Sequence, residues 1–211
     1  KEVLTRKSQL SRNQAGKKEA EQIIAANIDI IFIVTSLNQD FNPRRLERYM
    51  TIAWDSGAQP IIILNKSDLC DDREYYIDEI NNIAFGTEYI ITSCVNNEGI
   101  EKIREILNPD KTAVLVGSSG VGKSSIINLL LEEKRQDIKD IRADDARGRH
   151  TTTNRELFLV PDGGVIIDTP GMREIQLWVD ENSLDNVFSE IEQLARDCKF
   201  NDCTHTHEPG C

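Results

Sequence analysis

No run of apolar residues in this chain is long enough to cross a bilayer. The longest apolar stretches, such as Ile28 to Val34, which Asp29 interrupts, and Ile61 to Leu64, stop far short of the roughly 20 residues that a spanning helix needs. No signal-peptide pattern opens the sequence. Both absences point away from membrane and secretion, toward a soluble cytoplasmic protein. Positive charge is also scarce: 25 Lys and Arg against 36 Asp and Glu leave a net charge of -11. A surface that binds nucleic acid electrostatically over its whole extent is excluded, because phosphate contacts need local cations. Internal repeats and low-complexity segments are lacking too. With 39% hydrophobic and 29% charged residues among 211, the composition lies outside the disordered range and can bury one core plus a small appendage.

The basic residues that are present are clustered. Residues 1–18 hold Lys1, Arg6, Lys7, Arg12, Lys17 and Lys18 against Glu2 alone, and Arg142, Arg147, Arg149 and Arg155 form a second group. Either cluster is equally a solvated linker or loop, or a local contact for RNA. Five cysteines divide into two isolated ones, Cys70 and Cys94, and three, Cys198, Cys203 and Cys211, beside His205 and His207. An odd count mixed with histidine suggests a reducing compartment and a metal rather than disulfides. Because the chain starts at Lys1 and stops at Cys211 within that cluster, it reads as a fragment of something longer.

From Asp29 onward short β-branched runs alternate with amphipathic stretches. Strands are expected at 30–34, 61–64, 89–92, 113–116, 157–160 and 165–168, and helices at 43–55, 74–84, 98–107 and 123–132. That alternation predicts an α/β fold, a mostly parallel sheet with helices on both faces. Ligands in such sheets sit beyond the carboxyl ends of the strands.

The chemistry-bearing motifs fall at those ends. Gly117-Ser118-Ser119-Gly120-Val121-Gly122-Lys123-Ser124, continued by Ser125, follows one strand and opens a helix. This is the setting in which GxxxxGK[ST] is a phosphate loop. Backbone N–H groups would curl around the phosphates, Lys123 would reach the β and γ phosphates, and the Ser124 hydroxyl would ligate Mg²⁺. Asn65-Lys66-Ser67-Asp68 ends another strand. A carboxylate at Asp68 can accept from guanine N1–H and the 2-amino group, which adenine does not offer. Asn65 would fix the loop and base edge, and the stem of Lys66 would cover the base face. One strand-helix unit later, Thr92-Ser93-Cys94 resembles the segment whose backbone N–H completes guanine binding, which places Ser93 and Cys94 in the site. Asp168-Thr169-Pro170-Gly171 supplies an acid, Asp168, that would hold Mg²⁺ through water, and an N–H at Gly171 for the γ phosphate. Between the two lies Gly148-Arg149-His150-Thr151-Thr152-Thr153, where one threonine, Thr152 being favoured, would complete the Mg²⁺ shell as a switch.

The order NKSD, TSC, GSSGVGKSS, GRHTTT, DTPG, then Cys198-x4-Cys203-x-His205-x5-Cys211, resembles the RsgA (YjeQ) family of circularly permuted GTPases. The likeness extends to Ser11-Arg12, Ala26-Asn27-Ile28-Asp29, Asp40-Phe41-Asn42 and the CKFNDC and HEPGC stretches. It implies a GTPase stimulated by the small ribosomal subunit and active in its maturation, with guanine nucleotide, Mg²⁺, Zn²⁺ and rRNA as cofactors and partners. It also implies an N-terminal OB-fold and further C-terminal helix outside this chain. The expected organisation is a lead-in linker at 1–27, a permuted P-loop GTPase domain at 28–179 and a zinc-binding segment at 180–211, in a monomer. The turn Asn108-Pro109-Asp110 would join the ancestral termini, delivering the next strand into the phosphate loop.

Three Cys and one His at short spacing suit a closed tetrahedral Zn²⁺ site of Cys198, Cys203, His205 and Cys211, with His207 as the rival ligand. Met172 stands where Ras-like enzymes carry a water-orienting Gln, so intrinsic hydrolysis should be slow. His150 is the candidate replacement, and a packing or loop residue is its plainer reading. Lys123, Thr152 and His150 are thus the expected catalytic residues. A nucleotide-dependent binding module without turnover is the alternative that Met172 supports. An ATPase or small-molecule kinase is disfavoured by Asp68, and a permuted GTPase of another RNA–protein assembly by the position of the zinc motif.

Overall fold

In a computed structural model the described residues are 5–13, 21–132, 156–161, 163–168 and 198. The strands, in chain order, are β1 (Gln9–Asn13), β2 (Glu21–Ala26), β3 (Ile30–Ser36), β4 (Gln59–Asn65), β5 (Tyr89–Ile91), β6 (Thr112–Val116), β7 (Glu156–Leu159) and β8 (Val165–Asp168). The helices are α1 (Pro43–Asp55), α2 (Arg73–Ile83), α3 (Ile100–Ile106) and α4 (Lys123–Leu130). Six strands form one sheet in the order β5-β4-β3-β6-β8-β7, parallel throughout except for the antiparallel β7–β8 edge. The chain divides into two units, Lys1–Trp178 and Val179–Cys211.

Every residue of β3 is buried, as a central strand covered on both faces requires. Its side chains alternate between two apolar clusters. Ile31 and Ile33 pack with Leu46, Met50 and Ala53 of α1 and Ile80 of α2, while Ile30, Phe32 and Val34 pack with Ile103 of α3 and Ile126, Ile127 and Leu130 of α4. The two helix pairs therefore cover opposite faces. Fully burying a side chain such as Phe32 contributes about 1.5–3 kcal/mol from apolar area alone.

Local chemistry sets the helix ends. Asn42 accepts from the Arg45 N–H at the start of α1, where Pro43 gives up no needed donor, and Asp72 accepts from the Tyr75 N–H at the start of α2. Helix α3 begins two residues later than its apolar period suggests, because Glu98 is paired through its backbone with Ser93 instead. Helix α4 stops at Leu130, and the Arg104 guanidinium donates to the Leu129 and Leu130 carbonyls there. This satisfies carbonyls that a helix end leaves without partners.

The segment read as a lead-in linker contains β1 and β2, which pair antiparallel as a separate two-stranded sheet. Leu10, Ile24 and Ala25 are buried in the same cluster as α1. The Ser8 hydroxyl donates to the Ile28 carbonyl and accepts from the Ile28 N–H, both at 2.6 Å. The expected turn at Asn108-Pro109-Asp110 carries a Lys111 N–H to Asn108 carbonyl bond of 3.0 Å and leads into β6. Among the described residues, no helix is long and apolar enough to cross a membrane.

Candidate nucleotide site

Strands β4, β3, β6 and β8 run in the same direction, so Asn65, Gly117 and Asp168 all lie at the carboxyl edge of one sheet. The Gly117–Gly122 loop leaves β6 there and Gly122, at φ +103°, turns the chain into α4. Lys123 and Ser124 occupy the first turn of that helix, where backbone N–H groups have no helical partner and the dipole is positive. The Lys123 ammonium donates to the Gly117 carbonyl at 2.7 Å and the Ser118 carbonyl at 2.6 Å, so it spans the mouth of the loop. The Ser118 hydroxyl donates to Asp40 Oδ2 at 2.6 Å, and Arg45 Nη2 donates to the same oxygen at 2.9 Å. This contact ties the loop to the segment between β3 and α1.

Asn65 connects the two motifs. Its Nδ2 donates to the Val121 carbonyl inside the phosphate loop at 2.7 Å, across 56 positions of sequence. Its Oδ1 accepts from Thr92 Oγ1 at 3.0 Å and from the Cys94 thiol at 3.6 Å. Asn65, Ser67, Thr92 and Ser93 are all buried, which makes these polar contacts obligatory rather than optional. Lys66 adopts a left-handed backbone at φ 62° between the buried Asn65 and Ser67. Asp68 Oδ1 accepts from the Ser93 hydroxyl at 2.5 Å, a short charge-assisted bond. Burial pushes the Cys94 thiol above its ordinary 9.0.

Of the residues singled out from sequence, Asn65, Lys66, Asp68, Ser93 and Cys94 thus gather around one loop pair, and Asn65 joins that pair to Gly117–Ser125. Asp168 ends β8, one residue beyond the Ile167–Val114 pairing with β6. His150, Thr152, Gly171, Cys203, His205 and Cys211 lie outside the described residues, and Cys198 is half-buried. Among the described residues, no group of three or more His, Cys, Asp and Glu is placed to hold a metal ion. Sequence reading gave no role to Glu98, Arg73 or Asp40. Glu98 accepts from the Ser67 hydroxyl at 2.6 Å and from Arg73 Nη1 at 2.7 Å. Those bonds, the Ser67 one first, hold its carboxyl below the usual 4.5.

The RsgA GTPase family profile matches residues 3–178, most of the chain. The chain belongs to the RsgA GTPase family. Curated RsgA relatives include the small ribosomal subunit biogenesis GTPase RsgA of Methanosarcina acetivorans, 52% identical over 209 residues, which cover 99% of this chain and 57% of that protein. The RsgA 1 protein of Listeria innocua is 50% identical, over 99% of this chain and 60% of its own length. Among solved structures, YjeQ from Thermotoga maritima superposes with a TM-score of 0.66 at 27% identity, covering 99% of this chain and 67% of that one. YloQ, described as a circularly permuted GTPase, superposes with a TM-score of 0.57 at 26% identity, covering 94% and 68%. The fold is that of a circularly permuted GTPase, and the order of motifs along the chain agrees with it. The chain spans less than two thirds of the length of these curated RsgA relatives.

Proposed function

We propose that this chain is the guanine-nucleotide-binding part of a GTPase that hydrolyses GTP to GDP and phosphate in response to the small ribosomal subunit and its rRNA, in the cytoplasm. The observation that supports the reading is the Asn65 to Val121 bond, which joins the Asn65–Asp68 loop to the Gly117–Gly122 loop at one sheet edge. The names of the curated relatives support the ribosomal partner.

In this reading Asp68 accepts from guanine N1–H and the 2-amino group. Asn65 holds the base loop against the phosphate loop, Lys66 covers the base, and the loop at Ser93 and Cys94 completes the pocket. Backbone N–H groups from Gly117 to Ser125 surround the phosphates. Lys123 already lies across the loop mouth, where it would meet β and γ oxygens and oppose the charge that builds on them during transfer. A hydroxyl at Ser124 and a carboxylate at Asp168, both oxygen donors at the same sheet edge, fit Mg²⁺ with Thr152 as a further ligand. When bound, the ion neutralises phosphate charge. Gly171 would donate its N–H to the γ phosphate. Water then adds to the γ phosphorus as its bond to the bridging oxygen breaks, with His150 positioning the water in place of the missing glutamine. The donor set Cys198, Cys203, His205 and Cys211 suits structural Zn²⁺ in the second unit.

A second reading, a nucleotide-gated binding module that does not turn over by itself, is favoured by Met172, whose thioether cannot orient water. GTP turnover by the full-length protein with and without small subunits separates the two. Stimulation lost in Asp68→Ala and in His150→Ala supports the gated enzyme; binding without turnover under all conditions supports the module. Metal analysis of the full-length protein tests zinc, and a Cys203→Ser protein that retains it would exclude the ligand set.

A further inference from the structure

Around the base-reading loop the contacts close into a ring. Ser67, buried between Lys66 and Asp68, donates its hydroxyl to Glu98 Oε2 at 2.6 Å. Arg73, the first residue of α2, donates Nη1 to Glu98 Oε1 at 2.7 Å and Nη2 to Glu98 Oε2 at 3.1 Å, and reaches the Ser67 carbonyl at 3.4 Å. The Glu98 backbone pairs with Ser93 in both directions, at 3.0 and 3.1 Å, and the Ser93 hydroxyl returns to Asp68 Oδ1 at 2.5 Å. Covalent bonds from Ser67 to Asp68 complete the circuit. A second tether, Ser67 N–H to the Thr92 carbonyl at 3.1 Å, joins the same two loops. Behind Glu98, Gly99 sits at φ +72°, and a Cβ there would come within 2.1 Å of the Ile91 carbonyl, so the loop is pressed against the end of β5.

Of the partners of Glu98, Ser67 and Ser93 belong to the loops that flank Asp68 and Arg73 opens α2, so none of the three is a residue of the phosphate loop. A carboxylate oxygen can accept two hydrogen bonds, so the Ser93 bond orients Asp68 without using up its capacity for a base. The Arg73 pair is bidentate, which fixes the orientation of Glu98 more tightly than a point charge would.

We propose that Glu98 is a positioning residue for guanine selection: by clamping Ser67 to the Ser93 loop, with Arg73 as its counter-ion, it holds the Asp68 carboxylate in the bidentate pose that guanine requires. The inference rests on Asp68 being the base reader. Loss of the clamp leaves the phosphate loop intact, so it acts on base discrimination and not on nucleotide binding in general. Inosine nucleotides differ from guanosine nucleotides only in lacking the 2-amino group, which makes them the probe.

Affinities of the full-length protein for GDP and IDP, measured by titration calorimetry, decide it. Glu98→Ala is expected to lower the GDP over IDP preference by about tenfold, the worth of one misplaced charge-assisted hydrogen bond. Equal weakening for both nucleotides, or no change for either, overturns the proposal. Should Glu98→Ala fail to fold, Ser67→Ala and Glu98→Gln, which remove one clamp bond and the charge respectively, carry the same ratio test. Asp68→Asn checks the reading beneath it. An asparagine offers a donor to the 2-carbonyl of xanthine, so XDP should displace GDP as the preferred ligand. If Asp68→Asn keeps its guanine preference, the base reading fails and Glu98 falls with it; if Asp68→Asn switches while the Glu98 variants keep the GDP over IDP ratio, only the Glu98 proposal falls.

Discussion

A Cβ added to Gly122 would lie 2.1 Å from Asn65 Nδ2. The phosphate loop and the NKSD loop are therefore in contact so close that only a hydrogen fits between them. Gly122 is also held at φ +103°, a conformation that costs any L side chain energy. Gly122→Ala must either push Asn65 off the Val121 carbonyl or move the start of α4. The expected result is a loss of GDP binding of at least tenfold with a lowered thermal midpoint, read by calorimetry and circular dichroism. An unchanged affinity would mean that the two loops move apart freely.

Asn65 itself makes a sharper pair of variants. Asn65→Ala strips the buried Val121 carbonyl of its donor and the Thr92 hydroxyl of its acceptor, which should cost about 1–3 kcal/mol of stability. Asn65→Asp keeps the shape and the acceptor for Thr92 but cannot donate to Val121. It is expected to fall as far as alanine or further, since it sets a carboxylate against a carbonyl in a buried site. Chemical denaturation of the two variants checks the order.

Strands β3, β4 and β6 were legible because a buried parallel strand is written as an unbroken apolar run, and Ile30–Val34 and Ile61–Leu64 are such runs. The phosphate loop and NKSD were legible because each is local, a few residues whose spacing alone constrains the backbone. Strand β1 was hidden for the opposite reason. Leu10 is the one apolar residue in QLSRN, and the basic residues around it read as a solvated linker. Glu98 carries no local signal at all, because 31 positions separate it from Ser67 and it meets Arg73 only once the sheet has formed. The bond from Ser118 to Asp40 spans 78 positions and was invisible for the same reason. Motifs can be read from sequence, whereas the side chains that brace them are chosen by the fold.

Glu98 should also leave a mark on acid stability. Its carboxyl is held below the ordinary 4.5 by the Ser67 hydroxyl first and by Arg73 second, so folding favours the ionised form. The stabilisation is therefore fully present above pH 4.5 and disappears as pH falls through the lower folded value. Glu98→Gln lacks it at every pH. The stability gap between the parent and Glu98→Gln is expected to be constant from pH 6 to 8 and to close below pH 4.5. A gap that widens on acidification would contradict the sign.

Cys94 is the reverse case, a group whose ionisation the fold resists. Burial raises its thiol above the ordinary 9.0, and the sulfur is turned toward Asn65 Oδ1. Since only the thiolate attacks an alkylating agent, iodoacetamide should modify Cys94 more slowly at pH 8 than it does the same cysteine in urea. Peptide mass spectrometry reads this position separately from Cys70. Bound GDP should slow the reaction further if the loop closes over a base. Replacing the thiol tests what it does for Asn65. Cys94→Ser retains a donor at that position, and Cys94→Ala removes it while Thr92 Oγ1 still satisfies the same oxygen at 3.0 Å. Both variants should therefore keep GDP affinity within about threefold, since the surviving bond is the stronger of the two. A large loss in Cys94→Ala alone would show that the sulfur, not the threonine, sets the Asn65 orientation.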